Sequence, residues 1–457
     1  MIEAFRQHFD KRSPRFFVTA PGRINLIGEH TDYNGFPVMP MALPRKIRIC
    51  AAPAENSEVV LHNLQETEYP PRRFEIGPAI PPTSSGDWSN YVRAAAQSLA
   101  GSPDDFGCAG KPRGMLCVID GDIPPEAGLS SSSALVVGSA LALAACNKGR
   151  ETGHSRQARI ALADRMAEAE HYVGTRGGGM DQAVCLLARD QCALKIDFFP
   201  LRAEPVPFPE GWSVLAAHST RRSRKSAERR KAYNRRVAEC RVGTELLARR
   251  RDSRQVERLA DLCPDGNPGE LEALAAELRE TVGGREELPV RDAASLLGMS
   301  PDQFRNRFLG DSEGNDPRPT GTLKILPRCR HVLSEARRVE QAANALRKEK
   351  IERMGDLMNA SHRSCAQDYE ISSPELDDLV AIMREKGAVG SRLTGAGFGG
   401  FAIGLVRTET APGLRAALDE SFYRPRELSA ETQTYLFRPA AGASVKKLGE
   451  LSADQCV

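Results

Sequence analysis

Between positions 21 and 40 the chain reads PGRINLIGEHTDYNGFPVMP, and Arg23, Glu29, His30 and Asp32 fall close together there. Polar groups of both signs at that density suit one polyhydroxylated ligand, because every buried hydroxyl needs a partner and a missing one costs about 1 to 3 kcal/mol. The same density also fits a solvated surface turn. A second segment, 124–134, reads PPEAGLSSSSA and runs into an apolar stretch. The free amides of a helix start face outward with the positive end of the dipole. Amides of Gly128 to Ser132 in that position would cradle a triphosphate and leave one hydroxyl for a divalent cation. The plain alternative is a flexible Gly/Ser linker. A third segment, 174–182, reads GTRGGGMDQ. Its glycine triplet permits close backbone approach and delivers Asp181, which either accepts a hydroxyl proton or caps the next helix. A fourth, SRLTGAGFGG at 391–400, is weak evidence alone. No GxxxxGK[ST] loop occurs, so phosphate charge must be met by amides, metal and other side chains.

Elements are needed to bring these segments together. Short β-branched and aromatic runs at 16–18, 47–51, 59–61 and 115–119 read as strands, and 132–145 and 157–172 read as helices. Strands at 193–199 and 213–217 precede a basic stretch at 221–254, near which the domain boundary is expected. The second half is mainly helical: 331–346, then a helix capped by Ser373 with Pro374 in its first turn, then a glycine-rich turn and a strand at 399–406. At 457 residues the chain is too long for one ordinary core, and two domains follow, 1–205 and 206–457.

Hydrophobic residues make up 41% and charged residues 27%, which is ordinary globular usage. The formal charge of +3 gives no reason to expect nucleic acid or an anionic membrane as partner. The eleven cysteines are scattered singly, with no zinc-ligand spacing, and read as reduced structural thiols. The first residues have neither a signal-peptide core nor an apolar span, so a cytoplasmic location is expected. The segment 290–309, VRDAASLLGMSPDQFRNRFL, superficially resembles a helix-turn-helix, but basic helix faces usually just meet solvent and no nucleic-acid role is expected.

Taken in order, the four segments resemble the GHMP kinase superfamily, and within it the galactokinase family, over nearly the whole chain. PGRINLIGEHTDYNG is similar to that family's signature, GLSSSSA to its phosphate loop, GGGMDQ to its catalytic-aspartate motif and LTGAGFGG to its third motif. AYNRRVAEC at 232–240 and SHRSCAQDYEISSPELDDLV at 361–380 are secondary matches. The resemblance implies an α+β fold of two domains with the active-site cleft between them. It further implies transfer of the γ-phosphoryl group of MgATP to the 1-hydroxyl of galactose by a monomer whose partners are the sugar and MgATP.

Carried over residue by residue, Asp181 becomes the proton acceptor and Arg23 its neighbour, stabilising charge at the transferring phosphoryl group. Glu29, His30, Asp32, Gly178 and Tyr233 match sugar contacts. Gly128, Ser130, Ser131 and Ser132 match the nucleotide loop, with Ser132 and Glu170 as Mg²⁺ ligands and Trp88 beside adenine, although a core tryptophan fits Trp88 as well. The sequence texture also resembles the branch holding N-acetylgalactosamine kinase and the fungal galactokinases. Tyr233 argues for galactose, since the acetamido-sugar enzymes carry phenylalanine there. A non-catalytic sugar sensor of the same family is disfavoured by the intact serine loop and Asp181.

Overall fold

The computed structural model describes residues 1–101, 112–124, 128–149, 155–174, 177–220, 226–253, 255–264, 266–310 and 321–449, with side chains left undescribed at 226–230. Parts of the segments at 124–134 and 174–182, and of the basic stretch, lie outside those residues.

Among the described residues fourteen strands are formed: β1 Phe16–Ile27, β2 Met39–Pro53, β3 Glu58–Asn63, β4 Arg72–Glu75, β5 Met115–Gly121, β6 Cys192–Asp197, β7 Arg202–Pro207, β8 Trp212–His218, β9 Leu288–Pro289, β10 Thr322–Leu323, β11 Gly390–Thr394, β12 Phe401–Arg407, β13 Thr434–Phe437 and β14 Ser444–Lys447. The larger sheet has the order β14-β1-β2-β5-β3-β4, and a second has β11-β12-β8-β13. All neighbours in these two sheets are antiparallel except β3 and β5. The expected strands are therefore present, but β1 and β2 run much further than their β-branched runs indicated. In β1, ladder pairing and burial along nearly the whole strand outweigh local preference, and in β2 the pairing with β1 on one side and β5 on the other carries the strand past Pro44 to Lys46.

The helix Ser131–Lys148 is buried nearly all round from Ser133 to Cys146, as expected of a helix inside a core. It lies on one face of the larger sheet, against β1 and β2. Alternation along the strands sends Phe16, Val18, Ile49 and Ala51 toward that helix and Phe17, Cys50 and Ala52 to the opposite face, where the N-terminal helix Ile2–His8 adds Phe5 and Phe9.

The second half is mainly helical, with Ile325–Arg347, Ile351–Gln367 and Pro374–Glu385 as its main pieces. Ser373 caps the last, its Oγ accepting from the Leu376 amide at 3.4 Å with Pro374 in the first turn. The chain does not leave its first half behind. Strand β14 pairs with β1, and Val339 to Leu346 and Ile351 to Met358 contribute to the core beneath the larger sheet.

Within 290–309 the helices Val290–Leu296 and Pro301–Phe304 form, with a capping box between Ser300 and Gln303. Their apolar side chains, among them Val290, Leu297, Phe304 and Phe308, are buried in the second core. None of the nine described cysteines is in a disulfide, and no described helix is long and apolar enough to cross a membrane.

Candidate active site

Four loops meet at the end of β1. Within that strand the register against β2 shifts between Pro21 and Arg23 and again between Asn25 and Ile27. Such bulges re-aim side chains, and here the Arg23 guanidinium turns toward the start of the helix Met180–Leu187, where Asp181 sits. Arg23 donates from Nε to Asp181 Oδ1 at 2.7 Å, from Nη2 to Oδ2 at 2.8 Å, and from Nη1 to the Gly128 carbonyl at 2.6 Å. One guanidinium therefore joins the aspartate motif to the serine loop.

Ser130 occupies the N-cap of the serine helix in a left-handed conformation, φ 60° and ψ 42°, yet its side chain makes no cap bond. Its Oγ donates to Asp181 Oδ2 instead. The first-turn amides of a buried, 18-residue helix are consequently left without a cap from the Ser130 side chain, with the positive end of the dipole behind them. An anion is the natural occupant of that position. Gly128 is exposed, whereas Ser131 and Ser132 are half-buried.

Asp32 begins a one-turn helix, Asp32–Asn34, and accepts at Oδ2 from the Gly178 amide at 3.1 Å. A Cβ on residue 178 would lie 2.4 Å from Asp32 Cγ and 2.4 Å from the Tyr33 nitrogen, so only glycine allows this approach. Burial first, and the charge of Asp181 next, push the Asp32 carboxyl up to about 6. Burial also raises the Tyr233 phenol, with Asp32, Asp181 and Glu170 adding to it, which sets this ring among the three acids.

Glu170 is buried at the turn that ends the helix Arg156–Ala169, and it accepts from Ser133 Oγ at 2.5 Å. Burial, then the Asp181 charge, push its carboxyl up to about 7. Three carboxylates thus gather around the single Arg23 guanidinium, and the excess negative charge together with the serine hydroxyls fits a hard divalent cation. The hydroxyl bonded to Glu170 is that of Ser133, not Ser132. Helix phase turns Ser133 inward, and Ser132 stands one position nearer the loop.

Glu29 and His30, expected as sugar contacts, have polar atoms engaged within the protein. Glu29 accepts at Oε1 from the Gly395 amide at 2.9 Å and forms an ion pair with Arg392 through Oε2. Burial outweighs that pair and raises its carboxyl. His30 Nε2 meets the Ala396 carbonyl at 3.2 Å, and Nδ1 meets the Tyr33 hydroxyl at 2.9 Å. Burial lowers the ring to about 3, so it is neutral, with Nε2–H donating and Nδ1 accepting. These two residues form the wall behind Asp32, and the third motif props them.

Trp88, for which a place beside adenine and a place in the core were both expected, is only 8% exposed, lies edge-on to Tyr69, donates from Nε1 to the Pro70 carbonyl at 3.1 Å and packs in the core of the larger sheet.

Several residues behind the site escape sequence reading. Glu335 accepts from the Gly28 amide at 2.9 Å, and His331 Nε2 lies 3.1 Å from the Glu29 carbonyl oxygen. Arg338 donates to Glu335 at 2.6 Å, and Arg392 lies 3.8 Å from it. Despite burial, Arg338 and Arg392 hold the Glu335 carboxyl down to about 2. His331 and Glu335 are four apart on a helix, a spacing that reads in sequence as an ordinary solvated face. Tyr369, whose hydroxyl lies 2.7 Å from that of Tyr33, falls in the secondary match at 361–380, where nothing local singled it out as a site residue.

Comparison with known proteins agrees with this geometry. Residues 3–53 match the galactokinase galactose-binding signature, 90–189 the GHMP kinases N terminal domain and 342–424 the GHMP kinases C terminal. The chain is 32% identical to galactokinase of Dictyostelium discoideum over 97% of its length and 92% of that protein. It is 30% identical to galactokinase of Saccharomyces cerevisiae over 98% and 94%. Among solved structures, Lactococcus lactis galactokinase complexed with galactose superposes with a TM-score of 0.75 at 25% identity, over 97% of this chain and 98% of that one. With its signature, both GHMP segments and its fold accounted for, this chain belongs to the galactokinase family.

Proposed function

We propose that this chain, an ATP-dependent sugar kinase, transfers the γ-phosphoryl group of MgATP to the 1-hydroxyl of galactose. The observation that carries this reading is the two-pronged Arg23–Asp181 pair beside the uncapped amides of the serine helix. Asp181 Oδ2, now bonded to Ser130, accepts the proton of the sugar hydroxyl once the substrate displaces that contact. Arg23 keeps the carboxylate aimed and offers positive charge to the phosphoryl group, and the amides of Gly128 and Ser130 to Ser132 hold the phosphate chain. Asp32, Gly178 and Tyr233 supply the sugar contacts, with Glu29 and His30 as the wall that fixes Asp32.

Ser132 and Glu170 hold Mg²⁺, and Ser133 orients Glu170. The ion, when bound, neutralises phosphate charge. Two domains, 1–205 and 206–457, hold both substrates in the cleft between them, and the enzyme acts as a cytoplasmic monomer.

The test is ADP release with MgATP against galactose, N-acetylgalactosamine and glucose, with Asp181→Asn as control. Turnover with galactose that vanishes in the variant is expected. Turnover with the acetamido sugar alone would overturn the substrate, and galactose and ATP binding without any turnover would make the protein a sensor.

A further inference from the structure

On the face of the larger sheet away from the serine helix, three side chains converge that the sugar kinase reaction does not use. His8 ends the helix Ile2–His8, His62 lies in β3, and Glu66 follows in the turn after that strand. His62 is fixed by the parallel register of β3 against Val118 and by the Phe9 ring, which meets it edge-on at 5.5 Å. The two imidazoles stack with centroids 3.9 Å apart at 23°.

Both rings turn a nitrogen to one carboxylate oxygen. His62 Nδ1 lies 2.9 Å from Glu66 Oε1, and His8 Nε2 lies 3.6 Å from the same atom. The second distance is too long for a hydrogen bond and is an ion-pair contact, with the His8 ring nitrogen directed at the same oxygen. All three ligand atoms lie within 4.8 Å of one another. A tetrahedral zinc ion with bonds of about 2.0 to 2.2 Å sets its donors about 3.3 to 3.5 Å apart, and the two measured separations bracket that value. An imidazole binds a metal in its own ring plane, so ligation requires the two rings to turn out of their 23° stack, and the three side chains are 18 to 43% exposed.

We propose that His8, His62 and Glu66 form a binding site for a borderline divalent transition metal, of which zinc is the type, separate from the Mg²⁺ position of the active site. Two imidazoles select zinc, copper or nickel over Mg²⁺, which takes oxygen ligands. Three protein ligands leave one position to solvent. The ion joins the N-terminal helix to β3, and it stabilises the fold by mass action. Since neutral imidazoles ligate, binding weakens as pH falls.

The experiment is calorimetric titration of the full-length protein with ZnCl₂ in excess Mg²⁺, repeated on His62→Ala, His8→Gln and Glu170→Gln, with thermal melts alongside. One zinc equivalent is expected, weakened roughly tenfold or more in each histidine variant and unchanged in Glu170→Gln. The zinc-induced rise in Tm should likewise disappear in His62→Ala and His8→Gln. Isotherms that are the same in wild type and both histidine variants would overturn the site, and so would loss of the zinc equivalent in Glu170→Gln. His8→Gln changes an exposed side chain, so its fold is expected intact, and circular dichroism checks that.

Discussion

Arg23 and Asp181 stand 158 residues apart in the chain and meet in a two-pronged ion pair, Nε to Oδ1 at 2.7 Å and Nη2 to Oδ2 at 2.8 Å. Planar, bidentate pairing fixes direction as well as distance. The carboxylate therefore cannot rotate, and the third prong, from Nη1 to the Gly128 carbonyl, ties that orientation to the loop that receives phosphate.

Removing the proton acceptor while keeping its shape tests the assignment. Asp181→Asn is expected to lower kcat by about 10² to 10⁴-fold, with galactose and ATP affinities nearly kept in calorimetry. Arg23→Lys keeps the charge but loses the fork, so kcat should fall there too. Normal turnover in a folded Asp181→Asn would reassign the base.

The two serines around Glu170 separate by pH. Ser132→Ala should raise the Mg²⁺ concentration for half-maximal rate at every pH. Ser133→Ala removes the hydrogen bond that lowers the Glu170 carboxyl, which already stands at about 7. That carboxyl then rises further, more of it is protonated at pH 7, and Mg²⁺ dependence should worsen at pH 7 yet recover toward pH 8.5. The same profile in both variants would contradict separate roles.

Asp32 makes a prediction about stability. Its carboxyl rises from 3.8 to about 6 in the folded protein, so the folded state binds the proton more tightly than the unfolded. Ionised Asp32 therefore destabilises the ligand-free fold above pH 6, by up to about 3 kcal/mol at roughly 1.4 per unit, and the penalty vanishes below pH 4. Asp32→Asn should raise the Tm of the ligand-free protein at pH 7.5, leave it unchanged near pH 4, and weaken galactose binding. Chemical denaturation at the two pH values checks the sign.

The charges behind the signature loop should be costly to break. Glu335 is fully buried and is bonded to the Gly28 amide and Arg338. Glu335→Ala removes the buried carboxylate to which Arg338 donates and leaves Arg392 with Glu29 alone, and a loss of about 3 to 5 kcal/mol in urea unfolding is expected. The milder Glu335→Gln can still accept from Gly28, so it should fold and show a higher KM for galactose with kcat largely kept. An unchanged KM would mean that the network does not position Glu29 and Asp32.

The sequence by itself determined the chemistry-bearing segments, because each depends on local rules. Glycines must stand where backbones approach, serines at a helix start leave amides free, and Ser373 with Pro374 starts a helix. Arg23, Asp32, Gly178 and Asp181 could be named from such signals, and the structure brings them together. Only the tertiary structure decided which atoms meet. Helix phase sends Ser133 to Glu170, core burial claims Trp88, and β11 with the helix Ile325–Arg347 encloses Glu29 through Arg392, His331 and Glu335. Those partners lie hundreds of positions away, and nothing in a local pattern of polar residues distinguishes a solvated helix face from one that lies against a distant loop.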